Sequence, residues 1–229
     1  MNIKEFSDGF DTLLNSFGVL PNIVLDEYEK SVFLTNAQEE LIIELYNGKN
    51  SFGDSFERTE EVRRYISELV KTYETNEKLT DYLGISRNSM FFKIPEDVWF
   101  ITYESAILQD DRLGCSNGGE VLVVPVAQDD FYKVQENPFR GSNKRRALRL
   151  DIKGNVIELV SEYNVDKYLI RYIARPNPII LVNLPDGLSI NGVSAETECE
   201  LNPVIHRAIL ERAVRLAIAS RTQLAGSKE

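Results

Sequence analysis

The stretch RALRLDIKGNVIELVSE, residues 146–162, decides the fold class. Two runs rich in branched apolar residues flank the short break Lys153-Gly154-Asn155. Such runs joined by a Gly/Asn break read as a β-hairpin. Similar segments lie on both sides. FFKIPEDVWFITYESAIL (91–108) is rich in aromatic and β-branched residues, as strands are. VLVVPV (121–126) reads as a short buried strand whose Pro125 belongs at an edge or a strand end. Residues 128–136 fit a helical turn or two, and DDRLGCSNGGE (110–120) reads as a loop. KYLIRYI (167–173) and PIILVNL (178–184) read as two further strands separated by ARPNP.

The flanks of this β-rich middle have a helical period. Phe6, Phe10, Leu13, Leu14 and Phe17 form one stripe of a helix ended by Gly18 and Pro21. Residues 23–34, IVLDEYEKSVFL, do not separate into two clean faces and are read as a strand. Thr35 with Gln38 then reads as a capping box opening a helix that carries Ala37, Leu41, Ile42 and Leu45 and stops at Gly48. A third helix is expected over about 57–74. Its apolar face would hold Val62, Tyr65, Ile66, Leu69, Val70 and Tyr73, and Glu60, Arg63, Arg64 and Glu68 would form its solvated face. At the other end, residues 203–222 form a helix with Asn202 as cap and Pro203 in the first turn. Helices, then strands, then a closing helix give an α+β fold: N-terminal helices, a β-rich central region with antiparallel strands, and a long C-terminal helix. The polar stretch 74–89 suggests a boundary. It separates a mainly helical region, 1–80, from a β-rich region closed by the last helix, 81–229, unless the two form one continuous domain.

The chain has 229 residues, 43% apolar and 27% charged, which suits a folded protein of one large or two small domains. Its net charge of −10 argues against coating nucleic acid and fits a protein that docks on other proteins. Residues 1–18 lack a basic segment followed by an apolar run, and no apolar run approaches the roughly 18–20 residues that span a bilayer. The expectation is therefore a chain made in a cytosol, with Cys115 and Cys199 as reduced thiols.

Chemistry-bearing motifs are sparse. No phosphate-cradling glycine loop, zinc-binding H-E-x-x-H or nucleophile elbow occurs. His206, the one histidine, falls a turn into the last helix, where packing or capping is its expected role. Asp110–Asp111 and Asp129–Asp130 are adjacent carboxylates, read as solvated turn residues rather than a metal or acid–base pair. No catalytic residue, metal site or cofactor is expected. The strongest local signal is NPFRGSNKRRALR (137–149), where Arg140, Lys144, Arg145, Arg146 and Arg149 gather without an acid. Three readings stay open: contact with DNA phosphates, docking on an acidic protein surface, or a solvated turn.

DDFYKVQENPFRGSNKRRALRLD, ELVSEYNVDKYLIRYIARPNPIILVNL and CELNPVIHRAILERAVRLA, in that order, resemble the head–tail connector, or neck-ring, proteins of crAss-like tailed bacteriophages. LDEYEKSVFLTNAQEELIIELY near the start is similar too, so the likeness covers most of the chain. The resemblance implies a non-enzymatic virion protein at the head–tail junction. It would form a ring, commonly twelve-fold, between portal and tail, and help to line the channel for genome packaging, retention and ejection. The implied partners are further copies of itself, the portal protein, adjacent neck or tail proteins and the genomic DNA passing through, with no membrane. On this view Arg140, Lys144, Arg145 and Arg146 serve protein docking first and DNA contact second. Surfaces complementary across copies, including the arginines of the last helix, would set the register. The competing classes are a small cytosolic enzyme with a carboxylate-dependent site and a regulatory binding module.

Overall fold

A computed structural model describes residues 1–17, 25–48, 56 and 59–226, the side chains beyond residue 221 excepted. The fold is α+β. The chain builds two compact units: one from Val70–Arg175, the other from Met1–Leu69 together with Pro176–Glu229.

The continuous unit is a sheet of eight strands among the described residues: β1 (Val70–Thr75), β2 (Lys78–Leu79), β3 (Ser89–Lys93), β4 (Val98–Leu108), β5 (Glu120–Pro125), β6 (Arg146–Ile152), β7 (Val156–Val160) and β8 (Val165–Ala174). Their order is β1-β8-β4-β5-β6-β7-β3-β2. All pairings are antiparallel except β5 with β6. The two ends of this order, β1 and β2, are separated in sequence only by Asn76 and Glu77, so the sheet curls back on itself. Register shifts along β4 against β8 add the local bends that such curling needs.

The hairpin read from the sequence is present. Ile152 pairs with Val156 across Gly154 and Asn155, both with positive φ. All five residues of β7 are buried, because both faces of the sheet are covered there. Ile157 and Leu159 enter the main core with Phe92, Ala106, Val123, Tyr168 and Ile170. Val160 packs outside with Leu148, Leu150 and Phe131, the last from the short helix Phe131–Gln135. Burying each large side chain of this kind stabilises by about 1.5–3 kcal/mol. Pro125 ends β5, a strand inside the sheet order, so of the two sites expected for it the strand end applies.

The discontinuous unit is helical: α1 (Ile3–Ser16), α2 (Glu27–Asn47), α3 (Glu60–Tyr65) and, after α4 (Phe131–Gln135) of the other unit, α5 (His206–Gly226). Asn2 and Glu5 form a capping box on α1, and Phe6 and Phe10 are buried as the stripe requires. The proposed stops Gly18 and Pro21 lie outside the described residues. Asn202 accepts from Val204 N–H as a cap, and Ile209, Ala213 and Val214 of α5 are buried.

Three local expectations are corrected. Residues 27–34 are helical, not a strand. The capping box is Asp26 with Glu29, and Thr35 lies inside α2, which does end at Gly48. The pattern misleads because the buried face of α2 is partly polar, with Lys30, Ser31, Thr35 and Gln38 all enclosed. The helix expected over 57–74 breaks after Tyr65, passes through a 3-10 turn, and becomes β1 at Val70, which pairs with Ile173. PIILVNL is not a sheet strand. It is an extended strap, joined to Thr197 by one bridge at Ile180.

That strap explains the polar face of α2 at Ser31, Thr35 and Gln38, whereas Lys30 pairs with Asp11 at 2.7 Å and Glu27 at 3.0 Å. Leu181 N–H donates to Ser31 Oγ at 3.0 Å, Ile179 N–H donates to Thr35 Oγ1 at 3.1 Å, and Gln38 Nε2 donates to Asn177 C=O at 2.9 Å. Helix positions 31, 35 and 38 share a face. They meet alternate strap residues 181, 179 and 177, whose polar groups point the same way in an extended chain. Side chains here replace a neighbouring strand.

Candidate functional site

The basic run leads from α4 into β6, with Arg140, Lys144 and Arg145 in the loop and Arg146 and Arg149 in the strand, and the loop backbone is tightly held. Gly141 N–H donates to Asn137 C=O at 2.8 Å, and Asn143 and Arg146 form a bridge. Gln135 donates to Ser142 Oγ and accepts from Ser142 N–H. A Cβ on Gly141 would come within 2.6 Å of Gln135 C=O, so this approach requires glycine.

The five cations of the run have different fates. Arg140, Lys144 and Arg145 are exposed and make no ion pair with the described residues. Arg146 is half-buried and donates to Phe139 C=O at 2.7 Å, tying the loop to the start of β6. Arg149 points inward. It is buried, lies 3.0 Å from Glu104 and pairs with Asp151. Glu104 also accepts from Tyr168 Oη at 2.7 Å. Burial pushes the Glu104 carboxyl above its ordinary pKa, while the charge of Arg149 and the tyrosine bond pull it down. The Tyr168 hydroxyl is driven far upward by burial and by the facing carboxylate.

Phe139 was not singled out by the sequence, although an aromatic between Pro138 and Arg140 in a turn is the signal that could have found it. It is 87% exposed. It stands on the lip of a groove of about 630 Å³ lined by Val124, Val126, Val134, Arg140 and Arg146. A second groove, about 520 Å³, lies in the helical unit between α2 and α5. Phe33, Ile43, Leu216 and Ala219 line it, with Glu39 and Glu40.

The other candidates are structural in their geometry. Asp110 caps the turn at 111–116 and binds Arg112 through both oxygens, at 2.9 and 2.7 Å. The Arg112 hydrogen bonds hold its carboxyl well below the usual range. Asp130 precedes α4, 3.8 Å from Lys133. His206 is buried. Its Nε2 lies 2.8 Å from Leu201 C=O, its Nδ1 lies 2.7 Å from the Met1 amino group, and its ring packs on Phe6. Burial holds its pKa below the ordinary value. Burial also pushes the Cys199 thiol up to about 11, and Cys115 is exposed. Among the described residues no cluster of three His, Cys, Asp or Glu side chains could hold a metal, and no helix is long and apolar enough to cross a membrane. Of the α5 arginines expected at interfaces, Arg207, Arg212 and Arg221 pair internally with Glu211, Glu44 and Glu29.

Two packed units displaying an exposed aromatic, free cations and an acid-edged groove have the character of a structural protein that acts through its surfaces. The chain belongs to the phage tail ring protein 3/4 family, whose description matches residues 1–229. It is 69% identical over 230 residues to "Ring protein 3" of Bacteroides phage crAss001, covering all of both chains. It is also 34% identical over 232 residues to "Ring protein 4/5" of the same phage, covering 96% of this chain and 93% of that one.

Proposed function

We propose that this chain is a virion subunit that assembles with its own copies into a ring at the head–tail junction. The ring, expected to hold twelve copies, connects portal to tail and forms part of the channel for genome packaging, retention and ejection. The full-length match to the ring family, with 69% identity to a ring protein, carries the reading. The portal and the neighbouring neck or tail proteins are its axial partners, and the genome passes through it.

Both relatives come from one phage, so subunits of shared ancestry have to sort self from paralogue during assembly. Charge arranged on loops does this well, because a like-charge mismatch is repelled. Arg140, Lys144 and Arg145 supply such a pattern, and Arg146 holds the loop that presents it. The test is an image reconstruction of purified particles with the chain labelled. The expected result is a closed ring on the tail axis beneath the portal. Absence from the particle, or a location away from the axis, overturns the reading. Replacing Arg140, Lys144, Arg145 and Arg146 by Ser separates docking from DNA contact. Weakened assembly is expected; intact assembly with weakened DNA binding assigns the loop to the channel instead.

A further inference from the structure

We infer that the ring is closed by Phe139 of one copy seating in the α2–α5 groove of a second copy, with Arg140, Lys144 and Arg145 facing the acids Glu39 and Glu40. This rests on the ring reading above and names the two surfaces that meet.

The projecting part is unusual for a soluble loop. A phenylalanine 87% exposed sits beside free cations on a backbone fixed by the Asn143–Arg146 bridge, the Gln135–Ser142 bonds and the Arg146 bond to the Phe139 carbonyl. A side chain held out on a rigid loop loses little conformational freedom when it binds. Buried aromatic anchors flanked by arginine are where interface energy concentrates.

The receiving part has matching chemistry. The groove floor is apolar, with Phe33, Leu216 and Ala219, and Ile43 is 38% exposed. Its volume of about 520 Å³ accommodates an aromatic ring and the loop around it. Glu40 is exposed and makes no ion pair with the described residues, and Glu39, one position away, accepts from Asn191 Nδ2 at 2.8 Å and adds its charge to that side. Two α5 cations that could have neutralised this side are engaged elsewhere, Arg212 by Glu44 and Arg221 by Glu29.

Two other concavities fit less well. The groove beside β5 has Phe139 itself on its lip. The polar concavity at Ser89, Asp110 and Asn164 contains Arg87 and Arg112, which would repel the incoming cations. Knob and socket also belong to different units of one chain, so the patch is not complementary to itself. A head-to-tail contact of this kind propagates, and closes into a ring where the rotation between copies allows, whereas a self-complementary patch stops at a dimer.

Cysteine pairing tests the contact. In a Cys115→Ser background, Phe139→Cys combined with Ile43→Cys should give, on oxidation of assembled protein, a ladder of covalent multimers, while either change alone stays monomeric. Phe139→Ala should weaken self-association by about tenfold or more without altering the melting of the monomer, since the side chain is exposed. Glu40→Arg should weaken it too, and Arg140→Glu added to Glu40→Arg should restore part of the loss. Rings in the particle with no ladder, and with Phe139→Ala assembling normally, reject this contact and leave the ring reading standing. Crosslinks from position 139 to a different virion protein reject it in favour of an axial interface. A wild-type chain that neither self-associates nor occupies a ring in the particle removes both.

Discussion

In the sheet unit, strands satisfy one another's backbone, so nearly every side chain facing the core can be apolar. The helical unit has an extended segment with no strand beside it on the α2 side. There Ser31, Thr35 and Gln38 take the role that a neighbouring backbone plays in the sheet. Both units mix the two uses of buried polarity, since Lys30 of the helical unit pairs with Asp11 and Glu27 and Glu158 of the sheet unit accepts from Ile85 N–H, but the largest cluster differs. In the sheet unit Glu104, Arg149 and Tyr168 form a closed side-chain cluster. In the helical unit polar side chains complete a backbone.

Removing half of the sheet unit's cluster should have the largest effect. Arg149→Ala leaves Glu104 without its cation in a buried site, and breaking a buried pair costs about 3–5 kcal/mol. Calorimetry should show a large fall in melting temperature, and Glu104→Leu with Arg149→Met and Tyr168→Phe, which leaves no member of the cluster unpaired, should recover most of it. A triple variant no more stable than Arg149→Ala would mean that the pair itself, not the charge left behind, supplies the stability.

Next comes the ladder. Thr35→Val keeps the shape but removes the acceptor for Ile179 N–H, an expected loss of about 1–3 kcal/mol. Amide exchange at Ile179 and Leu181 should accelerate while amides of β6 and β7 stay protected. Equal acceleration in both would show that the two units do not melt as separate bodies.

In the helical unit a pH dependence should come from His206. Burial lowers the folded-state pKa of His206, with the Met1 ammonium adding to the effect and the Leu201 carbonyl and Glu5 opposing it. The unfolded chain then binds more protons, so stability is fully present above the ordinary histidine value near 6.5 and falls as pH drops toward the folded value. Melting followed from pH 8 to 5 should show this decline, and His206→Gln should flatten it. The smallest effect belongs to the exposed loop. Serine at Arg140, Lys144 and Arg145 should change monomer stability by no more than about 0.5 kcal/mol, while the salt sensitivity of assembly falls.

The same contrast decides what the sequence could reveal. The hairpin at 146–160 and the strands around it were legible because self-satisfying backbone leaves an apolar pattern. So was the closing helix, with Asn202 and Pro203 at its start. The start of α2 was not, because its enclosed Lys30, Ser31 and Thr35 make the buried face look solvated. PIILVNL read as a strand for the complementary reason: its apolar residues are mostly buried, yet it makes one bridge, to Thr197, and bonds to side chains of α2. At the candidate site, clustering of cations was visible but their division was not. Arg149 turns inward because β6 alternates its side chains between two covered faces. The α2–α5 groove joins residues nearly two hundred positions apart, and no local pattern encodes it.

The strap also sets an order of events during synthesis. α1 and α2 emerge first, but the chain that completes the face of α2, residues 177–181, follows the whole of the sheet unit, and α5 follows later still. The sheet unit can finish as a continuous piece, while the leading helices wait with their polar ladder open to water. The α2–α5 groove therefore exists only once the last helix is in place, after every other element of the chain has been made.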